Sequence, residues 1–150
     1  MTTKFESVLG GVTPLVLSVF RVVFGLLYTV HGAAKLFAWP VDTGNGRVPV
    51  GTWPFWWAGA IEVVLGVLIV LGLFTRIAAF IASGEMAVAY FWQHSPKSLH
   101  PLANGGEPAV LFCFGFLLLA VAGGGAIAID TLRRRRRSAG SPGPAAPVAT

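Results

Sequence analysis

Four ionisable side chains interrupt otherwise apolar stretches of this sequence: Arg21, His31, Glu62 and Glu85. A histidine beside carboxylates is a common arrangement for moving protons near neutral pH. An ionisable group is costly inside an apolar segment that faces lipid, so it usually points into the protein and has a function. The pattern therefore predicts a polar site enclosed by apolar segments, with proton transfer as its chemistry.

The first apolar stretch carries a polar stripe. Arg21, Tyr28 and Lys35 follow one another at intervals of seven residues, nearly two helical turns, and therefore lie on one face of a helix. We expect Tyr28 and Lys35 to line the entrance of a ligand site, although anchoring at the membrane interface is the alternative. Arg21 is expected to close the floor of the site by pairing with a carboxylate, or else to extend towards lipid headgroups.

The depth of these groups separates them into two sets. Counted inward from the outer interface, His31, Glu62 and Glu85 lie about 9–14 Å deep, whereas Arg21 lies about 24 Å deep. The three outer groups can therefore converge, and they are the candidate catalytic residues. The alternative is a structural role, in which the two glutamates form hydrogen bonds across helices.

The composition indicates a membrane protein. The chain of 150 residues is 55% hydrophobic and 11% charged, whereas soluble domains are about 45–50% apolar and about 25% charged. The net charge of +5 depends on the run Arg133–Arg137, and a basic run directly after an apolar segment is typical of a cytoplasmic anchor. The expected partner of the chain is thus the lipid bilayer, and not nucleic acid.

The hydrophobic pattern predicts an all-α, antiparallel bundle of four transmembrane helices. Residues 1–11 form a cytoplasmic N-terminus, 12–130 the transmembrane domain, and 131–150 a basic, disordered cytoplasmic tail. A tight connection at Thr75–Arg76 joins the second and third spans. The four predicted spans are 12–37, 53–74, 77–92 and 108–129.

The distribution of basic residues predicts the orientation. Lys4, Arg76 and the arginine run share one side of the membrane, whereas Arg47 and Lys97 lie on the other. The more basic side is cytoplasmic, so both termini are expected inside the cell. Tryptophans gather around the first outer loop, as expected at a membrane face: Trp39, Trp53, Trp56 and Trp57. A cleaved signal peptide, ending at the small residues 32–34, is the alternative for the first span.

Other chemistry is weakly represented. The single cysteine, Cys113, excludes an internal disulfide and is expected to be a small buried side chain. His94 and His100 are too far apart to predict a metal site. The residues alone thus indicate no bound cofactor and no metal.

Three segments resemble the DoxX family of small bacterial inner-membrane proteins with four helices. They are Leu27–Phe37 in the first span, Gly59–Glu62 with Leu71–Arg76 in the second span and its turn, and Asn104–Glu107 at the start of the fourth span. The resemblance as a whole extends over about Leu15 to Asp130, nearly all of the chain outside its ends. The segment Gly123–Asp130 also fits, but it lacks the proline that the family pattern leads us to expect.

The resemblance implies a redox-associated role. Members of the family are linked to thiosulfate:quinone oxidoreduction, and others to a membrane assembly with superoxide dismutase and a sulfurtransferase. The expected function is therefore a membrane anchor or subunit of a redox assembly, with cytoplasmic redox enzymes as partners. One alternative is the membrane subunit of a thiosulfate- or thiol-dependent quinone oxidoreductase, with quinone as its ligand. The other is a carrier of small solutes or protons.

Small residues also suggest close helix packing, within the bundle or between copies in a homo-oligomer. They are Gly66, Gly72, Ala120 and Gly124.

Overall fold

A computed structural model describes the backbone of residues 2–42, 44 and 46–139 and the side chains of 6–42, 44 and 46–138. All regular secondary structure in this part of the chain is helical, which confirms the predicted all-α class. In chain order, the helices are α1 (Thr2–Phe37), α2 (Phe55–Leu71), α3 (Thr75–Ala89) with a π-helical turn after it (Tyr90–His94), α4 (Pro101–Asn104), α5 (Glu107–Ala122) and α6 (Ile129–Ala139).

Large apolar side chains are exposed along several helices. On α2, for example, Ile61, Val64 and Val67 recur at helical spacing and are all exposed. Water-soluble domains rarely expose continuous apolar surfaces of this kind, whereas lipid is a suitable solvent for them. By length and composition, α1 is the one helix in the described residues that can cross a membrane. Helices α2 and α5 are apolar but shorter, with 17 and 16 residues.

Four glycines bring α1 and α2 into close contact. Gly25 and Gly32 are seven residues apart in α1, and Gly59 and Gly66 have the same spacing in α2. A Cβ atom on Gly32 would lie 2.6 Å from the carbonyl oxygen of Gly59, so the backbones meet where no larger residue fits. This close approach fixes the register between α1 and α2. Gly66 therefore has the packing role that was predicted for it.

The core lies among α1, α2, α3 and α5. Tyr28, Ile69, Phe116 and Leu119 are fully buried, and they pack against small alanines of α3. Ser83 of α3 donates a hydrogen bond to the carbonyl oxygen of Cys113 in α5 (2.8 Å). Cys113 itself is half-buried beside this contact and forms no disulfide.

The connection between α2 and α3 lies at 72–74, and not at the predicted Thr75–Arg76. Gly72 adopts a left-handed conformation (φ 70°) and ends α2, as glycine commonly does after the last helical residue. Thr75 and Arg76 consequently form the first turn of α3. The predicted second span therefore extends beyond its helix, while the third helical segment is longer than predicted and reaches His94.

The end of the predicted fourth span, at residue 129, is wrong. Helix α5 stops at Ala122, because Gly123 (φ 91°) and Gly125 (φ 79°) adopt backbone conformations that favour glycine. Residues 123–128, which we call the closing turn, fold back onto α1, where Ala126 N–H donates to the carbonyl oxygen of Pro14 (3.0 Å).

The predicted disordered tail also differs from the structure. Helix α6 occupies its first part, up to Ala139, and carries the whole arginine run. The rest of the predicted tail, residues 140–150, lies outside the described residues.

Candidate functional site

Lys35 and Glu62 form an ion pair across α1 and α2. The Nζ atom of Lys35 lies 2.5 Å from Oε1 of Glu62. Each residue stands three positions after a contact glycine, Gly32 in α1 and Gly59 in α2, so the glycine contact also aligns the pair. The Glu62 side chain is 1% exposed and that of Lys35 is 32% exposed. The lysine therefore connects a deeply buried carboxylate to the surface.

The other carboxylate oxygen of Glu62, Oε2, is buried and has no hydrogen-bond partner. Glu62 lines a cavity of about 290 Å³, which we call the inner cavity, together with Tyr28, His31 and Lys35 of α1 and Phe112 of α5. Buried polar atoms without partners are rare and call for an explanation. A hydrogen-bond donor on a small ligand in the inner cavity would complete the bonding of Oε2.

Tyr28 and Glu85 form a second, partly buried polar contact. The Tyr28 hydroxyl donates a hydrogen bond to Oε2 of Glu85 (2.9 Å), which joins α1 to α3. The ring of Tyr28 is completely buried and packs edge-on against Phe116, with the ring centroids 4.8 Å apart. Since the ring cannot rotate away, its hydroxyl holds the Glu85 carboxylate in a fixed position.

A wider cleft adjoins the inner cavity. It measures about 450 Å³, and both spaces are lined by Lys35, Ala89 and His94. Glu85 lines this second space, which we call the tryptophan cleft because Trp53, Trp57 and Trp92 also line it. The rings of Trp53 and Trp92 meet across it, with centroids 6.3 Å apart. The two carboxylates thus face adjoining spaces that share Lys35.

Two histidines line the inner cavity: His31 of α1, and His94 at the end of the π-helical turn. The His31 ring packs edge-on against Phe112, with centroids 5.6 Å apart, and much of the side chain is exposed. His94 contacts the carbonyl oxygen of Asn104 through Nδ1 (3.1 Å). The sequence did not single out His94 as part of this site, because its position depends on the π-helical turn that ends at this residue.

Arg21 takes no part in this site. Its guanidinium group is 2% exposed and binds four backbone carbonyl oxygens, two at the end of α2 and two in the closing turn. Nε donates to Gly124 (2.9 Å), NH2 donates to Ile127 (2.8 Å), and NH1 donates to Ile69 and Val70. Both expectations for Arg21 are therefore wrong, since it neither pairs with a carboxylate nor extends to the surface. The last carbonyls of a helix lack intrahelical partners. Arg21 binds that of Val70, and it adds a second donor to that of Ile69, which also accepts from the N–H of Gly72 (3.0 Å).

Asp130 is a further polar anchor, and no pattern in the sequence indicated this role. Its Oδ2 accepts hydrogen bonds from the backbone N–H (2.9 Å) and the hydroxyl (3.1 Å) of Thr75, while Oδ1 accepts from the N–H of Phe74 (3.1 Å). The carboxylate thus caps the first turn of α3, where unpaired N–H groups favour an anion. This contact could not be predicted from the sequence, because Asp130 lies more than fifty residues after Phe74 and Thr75.

The arrangement brings together several groups that can bind or release protons. Two carboxylates, a lysine, a tyrosine hydroxyl and two imidazoles surround connected spaces at one end of the bundle. In the residues that the structure describes, no three His, Cys, Asp or Glu side chains cluster in a way that could hold a metal ion.

Comparison with known proteins identifies the family. The DoxX family model matches residues 16–95, which is more than half of the chain. An uncharacterized protein of Haemophilus influenzae is 42% identical over 120 residues, and the match covers 78% of this chain and 90% of that protein. No solved structure matches the chain. The family match includes Tyr28, Lys35, Glu62, Glu85 and His94. The chain therefore belongs to the DoxX family, as the resemblance in its first two spans predicted.

Proposed function

We propose that this DoxX-type membrane protein crosses the bacterial inner membrane four times, through α1, α2, α3 with its π-helical turn, and α5. The exposed apolar faces of these helices support this topology. Exposed tryptophans at one end, such as Trp53 and Trp92, suit the outer interface. The arginine-rich α6 at the other end suits the cytoplasmic side, so both termini are inside.

The proposed function is that of a membrane subunit in a redox-linked assembly, with a site for a quinol-like molecule between α1, α2, α3 and α5. The observation that carries this proposal is the unpartnered Oε2 of Glu62. A carboxylate oxygen accepts hydrogen bonds, so its natural partner is a hydroxyl or another donor. The inner cavity and the tryptophan cleft together have the size and the largely apolar lining of a small-molecule site.

The chemistry of the site follows from the groups around it. The quinone–quinol couple exchanges two electrons and two protons. Glu62 is placed to hold a proton near the ligand, and Lys35 keeps the opposite oxygen of that carboxylate in place. Glu85, held by Tyr28, is a second carboxyl group that can deliver a proton, on the side of the tryptophan cleft, so the two glutamates together supply the two protons that quinone reduction takes up. The electrons come from a partner protein, because the chain has a single cysteine and cannot cycle a disulfide of its own.

A binding experiment tests the site. A short-chain ubiquinol and the matching ubiquinone are titrated into the purified full-length protein, and quenching of tryptophan fluorescence reports occupancy of the cleft. In Glu62→Gln, the amide oxygen can still accept from Lys35, which leaves an N–H₂ group where Oε2 was. We expect ubiquinol to bind about tenfold more weakly, because a hydrogen bond to a charged group is lost, and ubiquinone to be much less affected.

Glu107→Gln is the matched control, because it changes an exposed glutamate on α5 that does not line the inner cavity. Equal losses in both variants, or wild-type protein that binds neither compound, would contradict the proposed site.

Activity is the second readout. If Glu62→Gln and Glu85→Gln both retain full thiosulfate- or thiol-dependent quinone reduction in membranes, the carboxylates do not carry the chemistry.

Membrane anchoring of cytoplasmic redox enzymes is the second candidate function. It is favoured by the outward side of α6, where Arg135 and Arg136 are exposed and available to an acidic protein surface. Co-purification of the tagged protein tests this role, with superoxide dismutase and a sulfurtransferase as the enzymes to detect. The Arg135→Gln/Arg136→Gln variant should retain fewer of them than the wild type. Unchanged recovery, or no such enzymes with the wild type, would exclude this role for α6.

A further inference from the structure

A second polar region lies at the opposite end of the bundle, where α6 crosses the start of α3. Arg133, Arg134 and Arg137 share one face of α6 and line a cleft of about 410 Å³. Arg76 lines it from the first turn of α3. The cleft thus collects positive charge from two separate elements, and it has no part in the site at the other end.

In the part of the chain that the structure describes, none of these four arginines forms an ion pair. Asp130 is the one carboxylate in the lining, and both of its oxygens are engaged with the backbone and hydroxyl at the start of α3. Among the residues that the structure describes, the single ion pair is the one between Lys35 and Glu62. The three guanidinium groups of α6 are therefore available to an external anion, and that of Arg76 is engaged only by one long hydrogen bond to the carbonyl oxygen of Ala120 (3.4 Å). Arginine is also the side chain best suited to bind phosphate, because its planar fork donates two parallel hydrogen bonds.

The remaining lining of the cleft is apolar and exposed. Phe74 and Ile77 are 59% and 64% exposed, and they lie beside the guanidinium groups. A free phosphate or an acidic protein has no need of such side chains. A phospholipid matches both parts, because its phosphate is charged and its acyl chains are apolar.

The cleft is held in shape by the contacts that fix α6 to the bundle. The N–H of Asp130 donates to the carbonyl oxygen of Gly72 (3.0 Å). A Cβ atom on Gly72 would lie 2.6 Å from Cβ of Ala128, so the end of the closing turn, directly before α6, packs on the connection between α2 and α3. The arginines of α6 are therefore held opposite Arg76.

We propose that this cleft is a binding site for the phosphate group of an anionic phospholipid, with an acyl chain lying along Phe74 and Ile77. The site is more than a general attraction of the basic helix to the membrane. It depends on the face of α6 that looks towards α3, and on Arg76.

The experiment compares two double variants of equal charge. Arg133→Gln/Arg137→Gln removes two guanidinium groups from the cleft, whereas Arg135→Gln/Arg136→Gln removes two that do not line it. The full-length proteins are purified in a neutral detergent and titrated with phosphatidylglycerol, and bound lipid is measured by native mass spectrometry. The cleft variant should bind about tenfold more weakly than the wild type, whereas the control should stay within about twofold. Arg76→Gln should weaken binding as well, although it lies on a different helix.

Three results would overturn the proposal. Equal losses in the two double variants would indicate attraction by net charge alone. Equally strong binding of phosphatidylcholine would show that the charge of the lipid is not recognised. Displacement of phosphatidylglycerol by millimolar inorganic phosphate or by an acidic peptide would identify a site for a soluble anion. The unfolding temperatures of all variants are measured to detect misfolding. They should match that of the wild type, because these side chains are exposed.

Discussion

Arg21 shows how a membrane protein can bury a cation without a carboxylate. A helix ends with carbonyl groups that have no partners, and the planar guanidinium group can bind several of them together. Arg21 does this for the end of α2, and it holds the closing turn with its other donors. The positive charge therefore links three separate segments of the chain.

We expect Arg21→Gln to destabilise the protein by about 3–5 kcal/mol, because it removes the hydrogen bonds of a buried cation to carbonyl groups of α2 and the closing turn. Arg21→Lys should also be destabilising, since a single ammonium group cannot reach both α2 and the closing turn. The measurement is the unfolding free energy of the purified protein in mixed detergent micelles. Arg47→Gln, in an exposed loop position, is the control and should have little effect. An equal change in Arg21→Gln and Arg47→Gln would contradict the role of Arg21.

The sequence predicts the residues of the site better than their partners. Tyr28, Lys35 and His31 could be placed together because helical spacing determines which face they share. Their convergence with Glu62 was predicted only from the similar depth of these residues below the outer membrane interface. The partners of Arg21 could not be predicted, because backbone carbonyls are the same in every residue. His94 was missed because its position depends on the irregular geometry at the end of α3.

At the scale of the helices, the contact between α1 and α2 is the determining feature. The glycines form a repeat of seven residues on each helix, which brings the backbones together and aligns Lys35 with Glu62. Small residues at such positions are typical of helix packing in membranes, where close van der Waals contact replaces the hydrophobic effect.

Gly32→Ala should destabilise the protein by about 1–3 kcal/mol, since the new Cβ atom would collide with the carbonyl oxygen of Gly59. Gly84→Ala provides a matched control within another helix, because nothing lies within 4 Å of its Cβ position. Alanine should be neutral or stabilising there, by up to about 1 kcal/mol. The unfolding free energies of both variants test this prediction. An unchanged unfolding free energy in Gly32→Ala would show that α1 and α2 can move apart without loss of stability.

Helix ends were the least predictable elements. Hydrophobicity continues from Ala122 to Ile129, so composition alone extends α5 through the closing turn. The backbone conformations of Gly123 and Gly125 interrupt the helix, and long-range contacts to Arg21 and Pro14 hold the resulting turn. A long-range contact likewise accounts for the helix that carries the arginine run. Asp130, in the first turn of α6, binds the start of α3 and fixes α6 there.

At the scale of the whole molecule, the two ends of the bundle differ in chemistry. One end has tryptophans, carboxylates and Lys35, and the other has Arg21, Asp130 and the arginines of α6. The class of protein could be predicted from composition, since an apolar fraction of 55% leaves too few polar residues for a soluble surface.

The proposed topology predicts the outcome of reporter fusions at four positions. Fusions after Gly44, Leu73, Gly105 and Ser138 should report outside, inside, outside and inside in turn, because each lies in a different connection or in α6. A reporter that is active only in the cytoplasm, paired with one active only in the periplasm, gives the measurement. An external location for Ser138 would refute the four-span arrangement. A mature N-terminus near Lys35 would instead indicate cleavage of the first span.

The clamp that joins Arg21 to the closing turn also has a consequence for biosynthesis. Arg21 is synthesised early, whereas its partners at Gly124 and Ile127 and the cap of α3 at Asp130 emerge after the four long helices. Until the closing turn and α6 have been made, a nascent chain therefore carries a buried cation with only its two partners in α2, and a helix α3 without its cap. Cellular proteases can recognise such incomplete chains. A chain that stops after Ala122 should be degraded faster than one that stops after Ala139 in a pulse-chase experiment. Equal half-lives would mean that the end of the protein is not what completes its folding in the cell.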